Sequence, residues 1–257
     1  MNIYYELLQY PVFSIKEVES FYSNRKTAQT ALGRLLKKNM AVKIRNGLYT
    51  CISGENGGPV ANKFQIASSI NESSYVSHHS AFEYYGVTDQ VYYDVYVSSD
   101  MRFHDFIFDG YTYHYVKSTI TDGVVTPQFG GNIKVTDKER TVIDSIKDMN
   151  QISGLEETIT CVTSFKSLTE KRLFTYLEKI GNMFLYQKTG FIFETYQNEL
   201  NISNEFLEAC KNKVVNSKRY LINGITDVAY SDKWKLVYPK DFKNIKNGES
   251  EYICKRV

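Results

Sequence analysis

Residues 14–51 read SIKEVESFYSNRKTAQTALGRLLKKNMAVKIRNGLYTC, and this stretch decides the fold of the N-terminal part of the chain. Ser14 followed three residues later by Glu17 is an S-x-x-E capping box, which starts a helix with Ile15, Val18 and Phe21 inward. Ser23 or Asn24 caps the next helix, Arg25–Lys38. There Ala28, Ala31, Leu32, Leu35 and Leu36 fall on one stripe at helical spacing. The opposite face carries Lys26, Gln29, Thr30, Gly33, Arg34 and Lys37, with no acid. Two short alternating runs, Val42–Arg45 and Leu48–Cys51, flank Asn46-Gly47, the strongest short-range hairpin signal. With a preceding helix over Asn2–Gln9, stopped near Pro11, the parts stand in winged helix-turn-helix order.

The same segment is the charge-asymmetric part of the chain. Lys16, Arg25, Lys26, Arg34, Lys37, Lys38, Lys43 and Arg45 face only Glu6, Glu17 and Glu19. That is an excess of five bases in a protein of net charge +2, so the remainder is net acidic. A basic, motif-bearing end on a mildly acidic body predicts a DNA-binding head. A recognition helix needs an apolar face for its own core and long donors, free of carboxylates, on the other. The candidate DNA-contacting residues are therefore Arg25, Lys26, Gln29, Thr30, Arg34 and Lys37 on the helix, with Lys43, Arg45 and Asn46 in the wing. Gln29 suits adenine, Lys26, Arg34 and Lys37 suit guanine or phosphate, Lys43 and Arg45 suit flanking phosphates or the minor groove, and Gly33 permits close approach of the helix backbone. Tyr49 either packs or donates to a phosphate. Winged helices also serve as protein–protein adaptors, and a basic face is often only solvated.

At 257 residues the chain has room for one large domain or two ordinary ones. The expected class is α+β: a winged helix-turn-helix at 1–53, a Gly-dense linker at 54–59, and a larger mixed α/β C-terminal domain at 60–257. Within the latter, 60–150 reads as β-rich, 151–215 as mainly helical and 216–257 as strand-like. Twenty-one tyrosines and 15 phenylalanines suit half-buried strands. Strands are expected at Val91–Ser98, at Phe106–Phe108 and Tyr111–Val116 about Asp109-Gly110, and at Ile133–Val135. Thr136 with Glu139 reads as a second capping box, opening a helix through Lys147 in which Arg140 and Asp144 pair on the surface. Helices follow at Leu155–Ser164, Leu168–Ile180, Phe191–Glu199 and Asn204–Lys213, then strands within Tyr220–Tyr230 and Trp234–Tyr238. Trp234 is a candidate for core or interface.

Cys51, Cys161, Cys210 and Cys254 are scattered with no C-x-x-C, which predicts reduced thiols in a cytoplasmic protein. No signal peptide and no apolar run long enough to span a bilayer is visible, so no membrane association is expected. Adjacent His78 and His79, and His104 and His114 near Asp94, Asp105 and Asp109, invite a metal reading. Adjacent residues diverge on a helix or strand, however, and no H-E-x-x-H, H-x-H or D-x-D accompanies them. No P-loop, G-x-S-x-G or G-x-G-x-x-G is present. The expectation is therefore no enzyme, no catalytic residue, no cofactor and no metal.

The block Tyr75-Val76-Ser77-His78-His79-Ser80-Ala81-Phe82-Glu83-Tyr84-Tyr85-Gly86-Val87 resembles the central motif of the AbiEi-type antitoxin family. Val95–Ser99, Phe108–Tyr111 and Val135–Asp144 agree in order and spacing, as does Arg45–Tyr49 near the start. The resemblance covers residues 1 to about 150, and more loosely to about 215. It implies a bacterial antitoxin of the abortive-infection type that represses its own operon by binding inverted repeats in double-stranded DNA, with self-association on the operator. It also implies a nucleotidyltransferase-like toxin as functional partner, counteracted without a stable complex. The motif residues His78, His79, Ser80, Glu83, Arg140 and Asp144 then carry a structural or surface role, not a catalytic one. Two other readings stay open: a metal-dependent nuclease targeted by a winged head, using His79, His104 or nearby Asp residues, and an orphan regulator that senses a small molecule.

Overall fold

The structure, a computed structural model, describes residues 3–88 and 90–247. In chain order it opens with α1 (Ile3–Leu7), α2 (Ile15–Glu19), α3 (Arg25–Lys37), β1 (Ala41–Arg45), β2 (Leu48–Cys51) and α4 (Lys63–Ser69). There follow β3 (Tyr75–Val76), α5 (His78–Tyr84), β4 (Asp94–Ser99), β5 (Phe106–Phe108), β6 (Tyr111–Lys117), β7 (Val124–Val125), β8 (Val135–Thr136) and α6 (Lys138–Asp148). The chain continues through α7 (Gly154–Ser164), α8 (Glu170–Ile180), α9 (Met183–Thr195), α10 (Gln197–Leu200) and α11 (Asn204–Lys211). It closes with β9 (Arg219–Tyr220), β10 (Val228–Ser231), β11 (Leu236–Pro239) and a 3-10 turn at Phe242–Asn247. The class is α+β. The expected helix start at Asn2, Cys254, and the last ten residues of the expected strand-like end lie outside the described residues.

Two compact units divide the chain, and their boundaries interleave. The first takes residues up to 76 together with 92–118 and 124–135; the second takes 77–91, 119–123 and everything from 136. Segment 1–53 falls wholly within the first unit.

In the first unit, the capping box forms as its sequence predicts. Glu17 Oε2 accepts from the Ser14 amide (2.7 Å) while Ser14 Oγ accepts from Lys16 N (3.1 Å). Asn24, not Ser23, caps α3 through its side chain and the Lys26 amide. Leu7, Phe13, Val18, Ala28, Leu32, Leu35 and Cys51 bury together, so the apolar stripe of α3 is spent on a local core. β1 and β2 pair antiparallel from Ala41↔Cys51 to Arg45↔Leu48, closed by Gly47 at φ +81°. Phe13 adds a bridge to Tyr49 through two backbone hydrogen bonds of 2.9 and 2.8 Å. Tyr49 itself packs, stacked on Phe13 at 6.0 Å. Residues 54–59 form a hydrogen-bonded loop: Ser53 N donates to Gly58 O and Val60 N to Cys51 O.

The same unit carries a six-stranded mixed sheet of order β5-β6-β4-β3-β8-β7. β5/β6 and β3/β4 are antiparallel, while β4/β6 and β3/β8 are parallel. Asp109 (φ +50°) and Gly110 (φ +79°) give the β5–β6 hairpin the twist-matched two-residue turn its sequence predicts.

The second unit is mainly helical, built around Phe82, Ile146, Met149, Ile159, Leu177, Phe193 and Trp234, all fully buried. A small sheet of order β10-β11-β9 accompanies the helices. Trp234 is core. The capping box expected at Thr136/Glu139 is not what forms. Thr136 is still strand, Asp137 caps α6 by accepting from Arg140 N (2.8 Å), and the Glu139 carboxylate reaches the Thr169 amide (2.7 Å). Long-range pairing has overridden the local pattern. Among the described residues no helix is long and apolar enough to cross a membrane, and Cys51, Cys161 and Cys210 are buried outside any disulfide.

Candidate nucleic-acid interface

α3 presents the sequence-predicted face to solvent. Arg25, Lys26, Gln29, Thr30, Arg34 and Lys37 are all exposed, and Thr27 and Lys38 extend the same polar surface. Thr30 returns its hydroxyl to Lys26 O (2.9 Å), the common habit of a mid-helix threonine. Arg25 pairs with Glu19 at 3.2 Å, with the arginine side chain 72% exposed, so this ion pair costs little to break. Gly33 has open space where a side chain would stand. In the hairpin, Lys43 and Asn46 are exposed and hydrogen-bonded to each other at 3.3 Å.

Arg45 departs from the expected wing. Its guanidinium lies 5.0 Å from the Phe106 ring centroid and 5.6 Å from that of Phe103, and its Nη1 is buried. Two rings some sixty residues along the chain have taken this cation for packing, so it is not presented with Lys43 and Asn46. The local alternation that places Arg45 at the tip of a wing carries no information about those rings.

The motif residues expected at the surface are buried. His78, His79, Ser80, Arg140 and Asp144 expose no more than 3% of their area, and Glu83 is half-buried. Arg140 and Asp144 do pair at i,i+4 (Nε–Oδ2 2.8 Å), but inside the second unit rather than on its surface. Arg140 Nη1 also donates to the carbonyls of Asp122 (2.6 Å) and Ile120 (3.2 Å). The guanidinium thus ties the 120–122 loop to α6, which gives a buried charge the hydrogen bonds it needs. Gly123 follows at φ +78°, where a Cβ would meet Tyr176 Oη at 2.7 Å. Asp137 accepts from that same Tyr176 hydroxyl (2.6 Å). Desolvation raises the Asp137 pKa despite this hydrogen bond and the one from the Arg140 amide.

The two adjacent histidines diverge, as their neighbour spacing requires. His78, at φ +52°, bonds Ser77 Oγ (2.8 Å) and Asp148 Oδ2 (3.1 Å). His79 turns to Glu157 and Cys161. In the first unit, His114 sits between Asp105 Oδ2 (2.8 Å) and Asp94 Oδ1 (3.0 Å) and stacks on Tyr96. Desolvation pushes the His114 pKa down, but the two carboxylates outweigh it and the net shift is upward. His104, by contrast, does not join this cluster at hydrogen-bond distance in any described pair.

No family model matches the chain, and no curated protein matches it. Among solved structures it is similar to the RV2827C protein from Mycobacterium tuberculosis, at a TM-score of 0.68 and 11% sequence identity. The match covers 96% of this chain and 94% of that one. At that identity the likeness is one of fold: an α+β architecture shared over nearly the full length of both proteins.

Proposed function

We propose that the protein is a DNA-binding transcriptional autorepressor and the antitoxin of an abortive-infection toxin–antitoxin system. In this reading α1–α3 with the β1–β2 hairpin and the Phe13 bridge are a winged helix-turn-helix, and α3 enters the major groove of an operator with inverted repeats. The observation that carries it is the exposed face of α3: Arg25, Lys26, Gln29, Thr30, Arg34 and Lys37 without a carboxylate on the helix. Such a face meets phosphate oxygens and base edges without like-charge repulsion. Lys43 and Asn46 supply the wing, and Arg45 holds the hairpin from behind. The larger remainder counteracts a nucleotidyltransferase-like toxin without a stable complex, as the AbiEi resemblance implies.

The test is fluorescence anisotropy with a DNA fragment from upstream of the gene, over a range of salt. Wild type binds with an affinity that falls steeply with salt. Lys26→Ala/Arg34→Ala/Lys37→Ala lowers affinity and flattens log K against log salt by about 0.9 for each phosphate left unneutralised. Equal affinity and slope for the triple variant would sink the assignment of this face. Co-expression with the neighbouring toxin tests the second half: loss of growth rescue on deleting this gene is expected, and unchanged growth refutes it.

A further inference from the structure

We propose that His79, Glu157 and Cys161 form a binding site for a divalent ion of the zinc class, inside the second unit. The three side chains come from two helices. Glu157 and Cys161 stand at i and i+4 on α7 and so share one face. His79 comes from the first turn of α5. Their donor atoms all lie within 4.8 Å of one another. Cys161 Sγ is 3.4 Å and His79 Nε2 is 3.8 Å from Glu157 Oε1. Metal–ligand bonds of about 2.0–2.3 Å at tetrahedral angles separate neighbouring donors by roughly 3.3–3.6 Å, against 3.4 and 3.8 Å for the two pairs made with Glu157 and no more than 4.8 Å for the third.

The chemistry of the set selects the ion. A thiolate and an imidazole beside one carboxylate suit zinc and disfavour magnesium or calcium, which require oxygen cages. A thiolate and a carboxylate also cancel the two charges of the ion, which lets the ion sit where His79 and Cys161 are at most 3% exposed. Glu157, at 30% side-chain exposure, borders solvent and gives the ion a way in. On binding, the sulfur–metal bond forms as the Cys161 thiol proton passes to solvent, so uptake is favoured by rising pH. Three protein donors leave one position for water or another small ligand.

The site is independent of the DNA-binding proposal, and its test uses no DNA. The full chain, purified without a histidine tag, is titrated with zinc and, separately, with cobalt(II), followed by elemental analysis and absorbance. One equivalent of zinc per chain, a zinc-dependent rise in melting temperature, and a near-ultraviolet thiolate-to-cobalt charge-transfer band are expected. Cys161→Ser removes the band, and Glu157→Gln, partly exposed and isosteric, lowers zinc affinity by about 10–100-fold or more, its zinc-dependent rise being read against its own metal-free melting temperature. No uptake by wild type would overturn the proposal. So would uptake and a charge-transfer band that persist unchanged in Cys161→Ser and Glu157→Gln, since the ion would then be bound elsewhere.

Discussion

Replacing Gly190 by alanine drives a methyl group into the indole of Trp234. A Cβ built on Gly190 would stand 2.1 Å from Trp234 Cζ3 and 2.3 Å from Cη2, far inside contact distance. The ring has nowhere to go. Trp234 is fully buried, its Nε1 donates to Glu194 Oε2 (2.6 Å), and its carbonyl accepts from Gln187 Nε2 (3.0 Å). In an open helix the substitution would stabilise by about 1 kcal/mol through helix propensity. Here overpacking costs about 3 kcal/mol or more, so the net loss is about 2 kcal/mol. For a chain of this size that lowers the melting temperature by about 4–8 °C. The chain has a single tryptophan among 21 tyrosines, so fluorescence excited on the red edge, beyond tyrosine absorption, reports on this ring alone. Circular dichroism then scores Trp234→Phe and the double variant. Trp234→Phe leaves room for the methyl, so Gly190→Ala costs at least about 1 kcal/mol less in that background. A higher melting temperature for Gly190→Ala, or strict additivity with Trp234→Phe, would refute the packing argument.

Arg45→Ala is expected to destabilise the protein by about 0.5–2 kcal/mol, because the Phe103 and Phe106 rings no longer have a cation over them. In the proposed operator binding its salt slope should match wild type, and a slope as flat as that of the α3 triple variant would return Arg45 to the proposed DNA face. Lys188 is buried in α9 against the carbonyls of Ile146 and Lys147, and burial pulls its pKa down from 10.5 to about 8. The unfolded chain then binds a proton that the folded chain has released, so this lysine makes stability rise with pH above about 8. Cys51 and Cys210, pushed by burial up to about 11 and about 12, act in the opposite sense as unfolded thiols ionise. Chemical denaturation of wild type and Lys188→Met across pH 7 to about 9.5 isolates the lysine: their stability difference should change by about 2 kcal/mol, and a flat difference would refute the shift.

Local signals are readable to the residue where the partners lie within one turn. Ser14/Glu17, Asn46-Gly47 and Asp109-Gly110 all form as their spacing requires, because capping and hairpin chemistry involves neighbours in sequence. The stripe of α3 is equally legible, since one face packs and the other is wet. α9 is not: expected only from Phe191, it begins at Met183. Residues Leu185 to Phe193 are all buried, polar Gln187, Lys188 and Thr189 among them, so that stretch has no solvent-facing side to set a period. The errors at Arg45, at Thr136/Glu139 and at the motif block share a different cause. Phe103 and Phe106, Thr169, and the Ile120–Asp122 loop are remote in sequence, and a charged residue whose partner is remote reads as a surface residue. His79 with Glu157 and Cys161 is the extreme case. The pair on α7 has helical spacing, but nothing local points from it to a histidine 78 residues earlier.

The interleaved boundaries set a schedule for synthesis. The backbone changes unit after Val76, Val91, Ser118, Gly123 and Val135. β3 is made early, yet its two neighbours in the sheet, β4 and β8, follow later, and β8 ends the first unit. At about 5–20 residues per second, the roughly sixty residues from Val76 to Val135 take about 3–12 s to emerge. Through that interval β3 keeps the edge that β8 will take unpaired, its other edge being open only until β4 emerges, while α1–α3 and the hairpin, whose contacts are short-range, can already be folded. Slowing translation within 77–135 should therefore lengthen the exposure of a nascent strand rather than help the sheet, and a chain released early carries a finished basic head on an open edge.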